Sequence, residues 1–155
     1  MSKTLPEYGL HHVGYVVEDL QDALAVMKAN LGEIEYQIYD FKPTKAWCYE
    51  EPVTDYALKI AMISLKENGS CIELIQPVSE GLHRDLLADR EGINHICFAV
   101  TGDYDQWRHH YFKAGAQFIF ESETEDDVVG YRRCFYVKDT SNNIVEIKET
   151  PYFRS

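Results

Sequence analysis

The sequence predicts an α+β fold built from two tandem βαβββ modules. Two repeated features predict it. His11-His12-Val13-Gly14-Tyr15-Val16-Val17 is echoed half a chain later by Asn94-His95-Ile96-Cys97-Phe98-Ala99-Val100, each a histidine entering an apolar run with a helix-like segment behind it. Ile72-Glu73-Leu74 and Val145-Glu146-Ile147 then repeat in the same order, each a carboxylate inside an apolar strand. Glu73 follows His12 by 61 residues (73 − 12), and Glu146 follows His95 by 51 (146 − 95). The longer copy holds its surplus most simply in the loop between its second and third strands.

Taken in order, residues 10–17 read as a strand. Asp19 or Glu18 starts a helix with apolar Leu20, Leu24, Met27 and Leu31 at helical spacing, and Gly32 stops it. Residues 34–41 alternate as a strand. The stretch 42–54, with Pro43 and Pro52, reads as a loop. Residues 56–65 and 70–76 form a hairpin around Glu67-Asn68-Gly69, a strong turn signal. His83 to Arg90 suits a short linking helix. The second copy follows with a strand at 93–100 and a helix capped by Asp103, with Gln106 as capping-box partner and Tyr104, Trp107, Tyr111 and Ala114 as its stripe. A strand at 116–121, an acidic loop from Glu121 to Asp127, and strands at 131–138 and 143–149 complete it.

A chain of 155 residues makes one globular unit: module one at about 9–78, a linker at about 79–91 and module two at about 92–150. A hydrophobic fraction of 45% suffices for a packed interior, and 13% aromatic residues suggest a pocket or interface besides. The net charge of −11 argues against nucleic acid and anionic membrane surfaces as partners. No apolar run approaches the roughly 20 residues of a membrane span, and no signal peptide is recognisable. Cys48, Cys71, Cys97 and Cys134 form no CxxC pair and read as reduced thiols of a cytoplasmic protein.

Side chains alternate along a strand, so His12, Gly14 and Val16 share the face opposite the bulky Val13, Tyr15 and Val17, which should meet the helix. That selects His12 over His11 as a ligand, with Gly14 leaving room for something to bind. His95 stands equivalently in the second copy, where Asn94 is the counterpart of His11. A carboxylate buried in a sheet costs several kcal/mol unless paired or metal-bound. One histidine in a strand is more often structural, and one strand glutamate is commonplace; four at equivalent positions of a repeat point instead to a shared N/O site for a divalent first-row ion. Cys71 and Cys97 share these faces and read as small buried filler.

The stretches His12 to Val17, Cys71 to Pro77, His95 to Val100 and Val145 to Ile147 resemble the vicinal oxygen chelate superfamily, the glyoxalase and bleomycin-resistance fold. The resemblance runs from Leu10 to Glu149, and looks closest to methylmalonyl-CoA epimerase and its glyoxalase I-like relatives. It implies two βαβββ modules whose sheets form a cup around one divalent ion (Zn, Ni, Co or Mn), held by His12, Glu73, His95 and Glu146. It implies an isomerase or lyase that abstracts a proton next to a carbonyl and stabilises an enediolate on a substrate with two chelating oxygens. Glu146 and Glu73 would move the proton, with a non-ligand acid/base near Glu50 or Glu51, of which Glu50 is the candidate. A homodimer is the common family arrangement. The alternatives are a glyoxalase I-like lactoylglutathione lyase, a non-catalytic small-molecule binding or resistance protein, and a ring-cleaving dioxygenase, which typically binds iron with two His and one Glu. Lys42, Lys45, Arg132 and Arg133 are candidate anion contacts or solvated loop charges. Trp47, Tyr36 and Phe41 are candidate pocket walls or core and interface aromatics.

Overall fold

The computed structural model describes residues 3–65 and 69–155. Its elements are α1 (Leu5–Tyr8), β1 (Leu10–Val16), α2 (Leu20–Leu31), β2 (Glu35–Phe41), β3 (Lys45–Cys48), β4 (Glu51–Val53), β5 (Leu58–Ser64), β6 (Cys71–Pro77), α3 (Leu82–Asp89), β7 (Gly92–Val100), α4 (Tyr104–Lys113), β8 (Gln117–Asp126), β9 (Gly130–Lys138) and β10 (Ile144–Glu149). All ten strands join one sheet in the order β2-β5-β6-β1-β7-β10-β9-β8-β3-β4. The duplication is visible in that order. β1 and β7 pair antiparallel at the centre, β1 runs parallel to β6, and β7 runs parallel to β10.

The connection from β2 to β3 sets the shape of the sheet. β2 is one end of the strand order and β3 lies eight steps away, about 38 Å across a flat sheet. Yet β2 ends at Phe41 and β3 begins at Lys45, a reach of at most about 14 Å for extended chain. The sheet must therefore curl until its two ends approach. The helices cover the outside of the curl and the interior is left for a cavity.

The 42–54 stretch, expected as a loop, is the hairpin β3–β4, which extends the far module by pairing with β8, Trp47 opposite Glu121. Its two-residue turn places Tyr49 at φ 53° and Glu50 at φ 68°. Such turns favour Asn-Gly, so Tyr-Glu gave no hairpin signal, and the ladder to β8 has to hold it. The acidic run was also misread as a loop: β8 continues to Asp126. Its alternation resolves the acids, since Glu121 binds Arg108 and Glu125 binds Arg154 on the outside, while Ser122 and Thr124 are buried between them. The expected turn at Glu67 and Asn68 lies outside the described residues.

Both long helices bury the first part of their expected stripes, while Leu31 and Ala114 at the far ends are exposed. Asp19 caps α2 by accepting from the Asp22 N–H at 2.8 Å, and Leu20 and Leu24 pack on Ala61, Ile63 and Leu74. Tyr104 and Trp107 of α4 pack on Phe118, Phe135, Val137 and Ile147. Asp103 precedes α4 without a side-chain cap, correcting the expected capping box. Its carboxylate instead accepts from Tyr8 Oη at 2.8 Å and Trp107 Nε1 at 3.2 Å, tying α1 to α4. The inner face gathers Val16, Ile60, Ile75, Phe120 and Tyr136 into a third cluster.

Candidate metal centre

Register across the four central strands builds the site. Gly14 of β1 lies between Glu73 of β6 and His95 of β7, while Cys97 of β7 lies between His12 of β1 and Glu146 of β10. His12, Glu73, His95 and Glu146 thus project from four adjacent strands onto one spot. Their ligand atoms all lie within 4.8 Å of one another, in a group that could hold a metal ion. His12 Nε2 is 3.1 Å from Glu73 Oε1 and 3.1 Å from Glu146 Oε1; His95 Nε2 is 3.4 Å and 3.2 Å from the same atoms. The four residues are 1% to 7% exposed.

The space beside Gly14, expected to receive a ligand, is filled by the imidazole of His95. A Cβ on Gly14 would stand 1.9 Å from His95 Cε1 and 2.4 Å from both ring nitrogens. The glycine is therefore a condition for placing the second histidine.

Each histidine is also tied at its far nitrogen by the residue before it. His95 Nδ1–H donates to Asn94 Oδ1, and His12 Nδ1 is 2.8 Å from His11 Nδ1. Burial, followed by the charge of Lys148, pushes His11 down to about 4, so it is neutral and can accept from His12 Nδ1–H. Both contacts turn an Nε2 lone pair toward the centre, as a metal ligand needs. Burial would also push His12 and His95 down, but the two carboxylates hold them above their usual value. Burial would raise Glu73 and Glu146, but the histidines hold them low.

Glu73 Oε1 is buried without a hydrogen-bond partner. Two carboxylates and two imidazole Nε2 atoms converging on one buried spot, with Glu73 Oε1 in no hydrogen bond of ordinary geometry, are well matched to a divalent cation, whose charge the carboxylates cancel. The residues present fit such an ion. Cys97, pushed up to about 12 by burial, remains a thiol beside His11 and His12.

A cavity of about 450 Å³ opens onto the centre. His12, Glu73 and Glu146 form its floor; Phe41, Leu58, Ile60, Ile75 and Phe120 give it apolar walls, and Arg132, Arg133 and Lys148 line it with Tyr39 and Thr124. Of the candidate wall and anion residues, Phe41, Arg132 and Arg133 therefore reach the cavity. Tyr36 packs toward α2, and Trp47 and Lys45 face other clefts. Glu50 also stands apart: it is exposed on the β3–β4 turn, in a cleft with Trp47, Tyr104 and Arg108. Glu50 is thus not among the residues that line the cavity.

A buried chain of rings beside the centre escaped the sequence reading. Tyr56 Oη accepts from the His83 backbone N–H at 3.1 Å and lies 2.6 Å from His83 Nδ1. On the other side of the ring, His83 Nε2 lies 3.0 Å from Tyr136 Oη, within hydrogen-bond distance. Burial, and then the charge of His95, pushes His83 down to about 3, which keeps it neutral. Tyr136 lines the cavity, with its ring 4.8 Å from that of His95. His83 and Tyr56 lie in segments read as linker helix and strand, and only the curled sheet brings them together.

The model of the glyoxalase/bleomycin resistance protein/dioxygenase superfamily matches residues 11–135. Among solved structures, the chain is similar to methylmalonyl-CoA epimerase from Mycobacterium tuberculosis at 22% identity and a TM-score of 0.62, covering 93% of this chain and 88% of that one. A hypothetical protein from Bacillus halodurans C-125 is similar at 20% identity and a TM-score of 0.65, with 94% and 96% covered. So is a 4-hydroxymandelate synthase mutant from Streptomyces coelicolor, at 15% identity and a TM-score of 0.60, with 94% of this chain but 50% of that one covered. No curated protein matches the chain in sequence. At these identities the solved structures speak for the fold, and the family match, which spans most of the chain and both halves of the sheet, decides membership: the chain belongs to the glyoxalase/bleomycin resistance protein/dioxygenase superfamily.

Proposed function

We propose that the protein is a divalent-metal-dependent isomerase or lyase that moves a proton on a carbon next to a carbonyl, an epimerase-like activity on a small acyl compound with two chelating oxygens. The observation that carries this reading is the buried His12–Glu73–His95–Glu146 group, with the orphaned Glu73 Oε1, at the floor of a cavity. When bound there, a divalent ion supplies a Lewis acid that stabilises negative charge developing on the carbonyl oxygen. His12 and His95, tied at Nδ1, hold their Nε2 atoms in place. Glu73 and Glu146, the carboxylates that line the cavity among the described residues, take and return the proton. Tyr136 offers its O–H to a substrate oxygen, and the apolar walls exclude water.

A methylmalonyl-type thioester is the first substrate to test, and the adduct of glutathione with methylglyoxal the second. In D₂O, metal-loaded protein should place one deuterium on the carbon next to the carbonyl, read by mass spectrometry. Glu146→Gln and Glu73→Gln should lower that exchange by at least about 100-fold, because an amide cannot carry the proton. Tight binding without exchange would favour a sequestering protein, and oxygen uptake by iron-loaded protein would favour a dioxygenase; either result would sink the proposal.

A further inference from the structure

We infer that Lys148 is an anion anchor, so that the substrate carries a carboxylate in addition to its two chelating oxygens; this rests on the proposed function above. The first support is position. Lys148 lies two residues beyond Glu146 on β10, on the same face of the strand, and lines the same cavity. Two residues of strand span about 6.8 Å, so the ammonium stands one short acyl chain from the centre.

The second support is charge bookkeeping. Three cations line the cavity, and the chain itself engages two of them. Arg133 is held by Glu149 at 2.9 Å and by Asp105 at 2.9 Å. Arg132 is held by Asp126 at 3.0 Å and donates to the Gly130 carbonyl at 2.8 Å. Lys148, only partly exposed, has no hydrogen-bond or ion-pair partner among the described residues. Glu73 and Glu146 cancel the charge of a divalent ion, which leaves the Lys148 ammonium as the unmatched cation of the cavity among the described residues. A carboxylate of the substrate, about one two-carbon spacer from its chelating head, completes the balance. The apolar walls of Leu58, Ile60 and Phe120 then strengthen the pair by keeping water away.

The test uses two ligands with one chelating head: N-hydroxysuccinamate, a hydroxamate ending in a carboxylate, and butyrohydroxamate, which ends in a methyl group. Each is titrated into cobalt-loaded protein and followed by the visible cobalt bands and by calorimetry, with metal content measured for every sample. Wild type should bind the carboxylate ligand at least about tenfold more tightly. Lys148→Met should erase that preference and leave butyrohydroxamate affinity and metal content unchanged; Lys148→Arg should restore part of it. A preference that survives in Lys148→Met, or that is absent from wild type, overturns the assignment of Lys148 while leaving the metal centre standing. Failure of cobalt-loaded wild type to bind either hydroxamate contradicts the chelating reading itself and the anchor with it.

Discussion

Gly14→Ala is expected to dismantle the centre while leaving the sheet paired. The added methyl would stand 1.9 Å from His95 Cε1, well inside contact distance. The ring has no free space to move into without giving up its contacts. It is 2% exposed, tied to Asn94 and packed on Tyr136. Either His95 leaves its rotamer or β1 and β7 separate at the middle of the sheet. The first is the cheaper route, because the ladder between those strands is long, and it removes one of four ligands. Divalent-ion affinity should fall by at least about 100-fold. Competition against a chromophoric chelator measures it, with circular dichroism reporting the retained strands. Affinity within a few-fold of wild type would mean that His95 does not serve the centre. Gly14 itself is not at positive φ, so the added methyl acts through its contact with His95 and not through backbone strain.

Stripping the ion is expected to cost stability on a large scale. An ion present at about 1,000 times its Kd stabilises the native state by about 4 kcal/mol, which for a chain of this size corresponds to a fall of about 8–16 °C in Tm on chelation. The dependence on pH has a definite sign. In the stripped protein His12 and His95 are held above their unfolded values, so their contribution is complete below about pH 6.5 and declines as pH rises beyond it. Glu73 and Glu146 are held low, so theirs is present above about pH 4.3 and is lost as pH falls. The ion, by contrast, competes with those histidine protons and gains as pH rises. The Tm gap between loaded and stripped protein should therefore widen from pH 6 to pH 8, as scanning calorimetry would show. A gap that narrows over that range would contradict the ligand set.

The sequence carried the centre because strand parity and duplication are both local patterns. His12 was separated from His11 by alternation alone, and Glu73 and Glu146 by their identical place in two copies. What it did not carry depends on contacts between the copies. β3–β4 turns on Tyr49-Glu50, residues without turn preference, and its partner β8 lies in the other module. The same hairpin moves Glu50 away from the cavity. The acidic run looked like a loop by charge, although Glu121, Ser122, Glu123, Thr124 and Glu125 alternate as a strand does. Asp103 stood where a cap belongs but bonds to Tyr8, 95 residues away. Gly14 was read correctly as a place without a side chain, and the occupant of that place was another residue's ring. A lysine near a strand end reads as solvated; alternation puts Lys148 on the face of Glu146, and the curl of the sheet makes that face the wall of a cavity.

The central claim is that four residues from two copies of one module hold a single ion, and metal stoichiometry tests it most directly. Protein stripped with chelator, reloaded with Zn, Ni, Co or Mn and freed of excess should carry one ion per chain by elemental analysis. His12→Ala, with its circular dichroism unchanged, should carry almost none. Equal, tight metal content in His12→Ala, or a wild type that retains none of the four ions, would contradict the account.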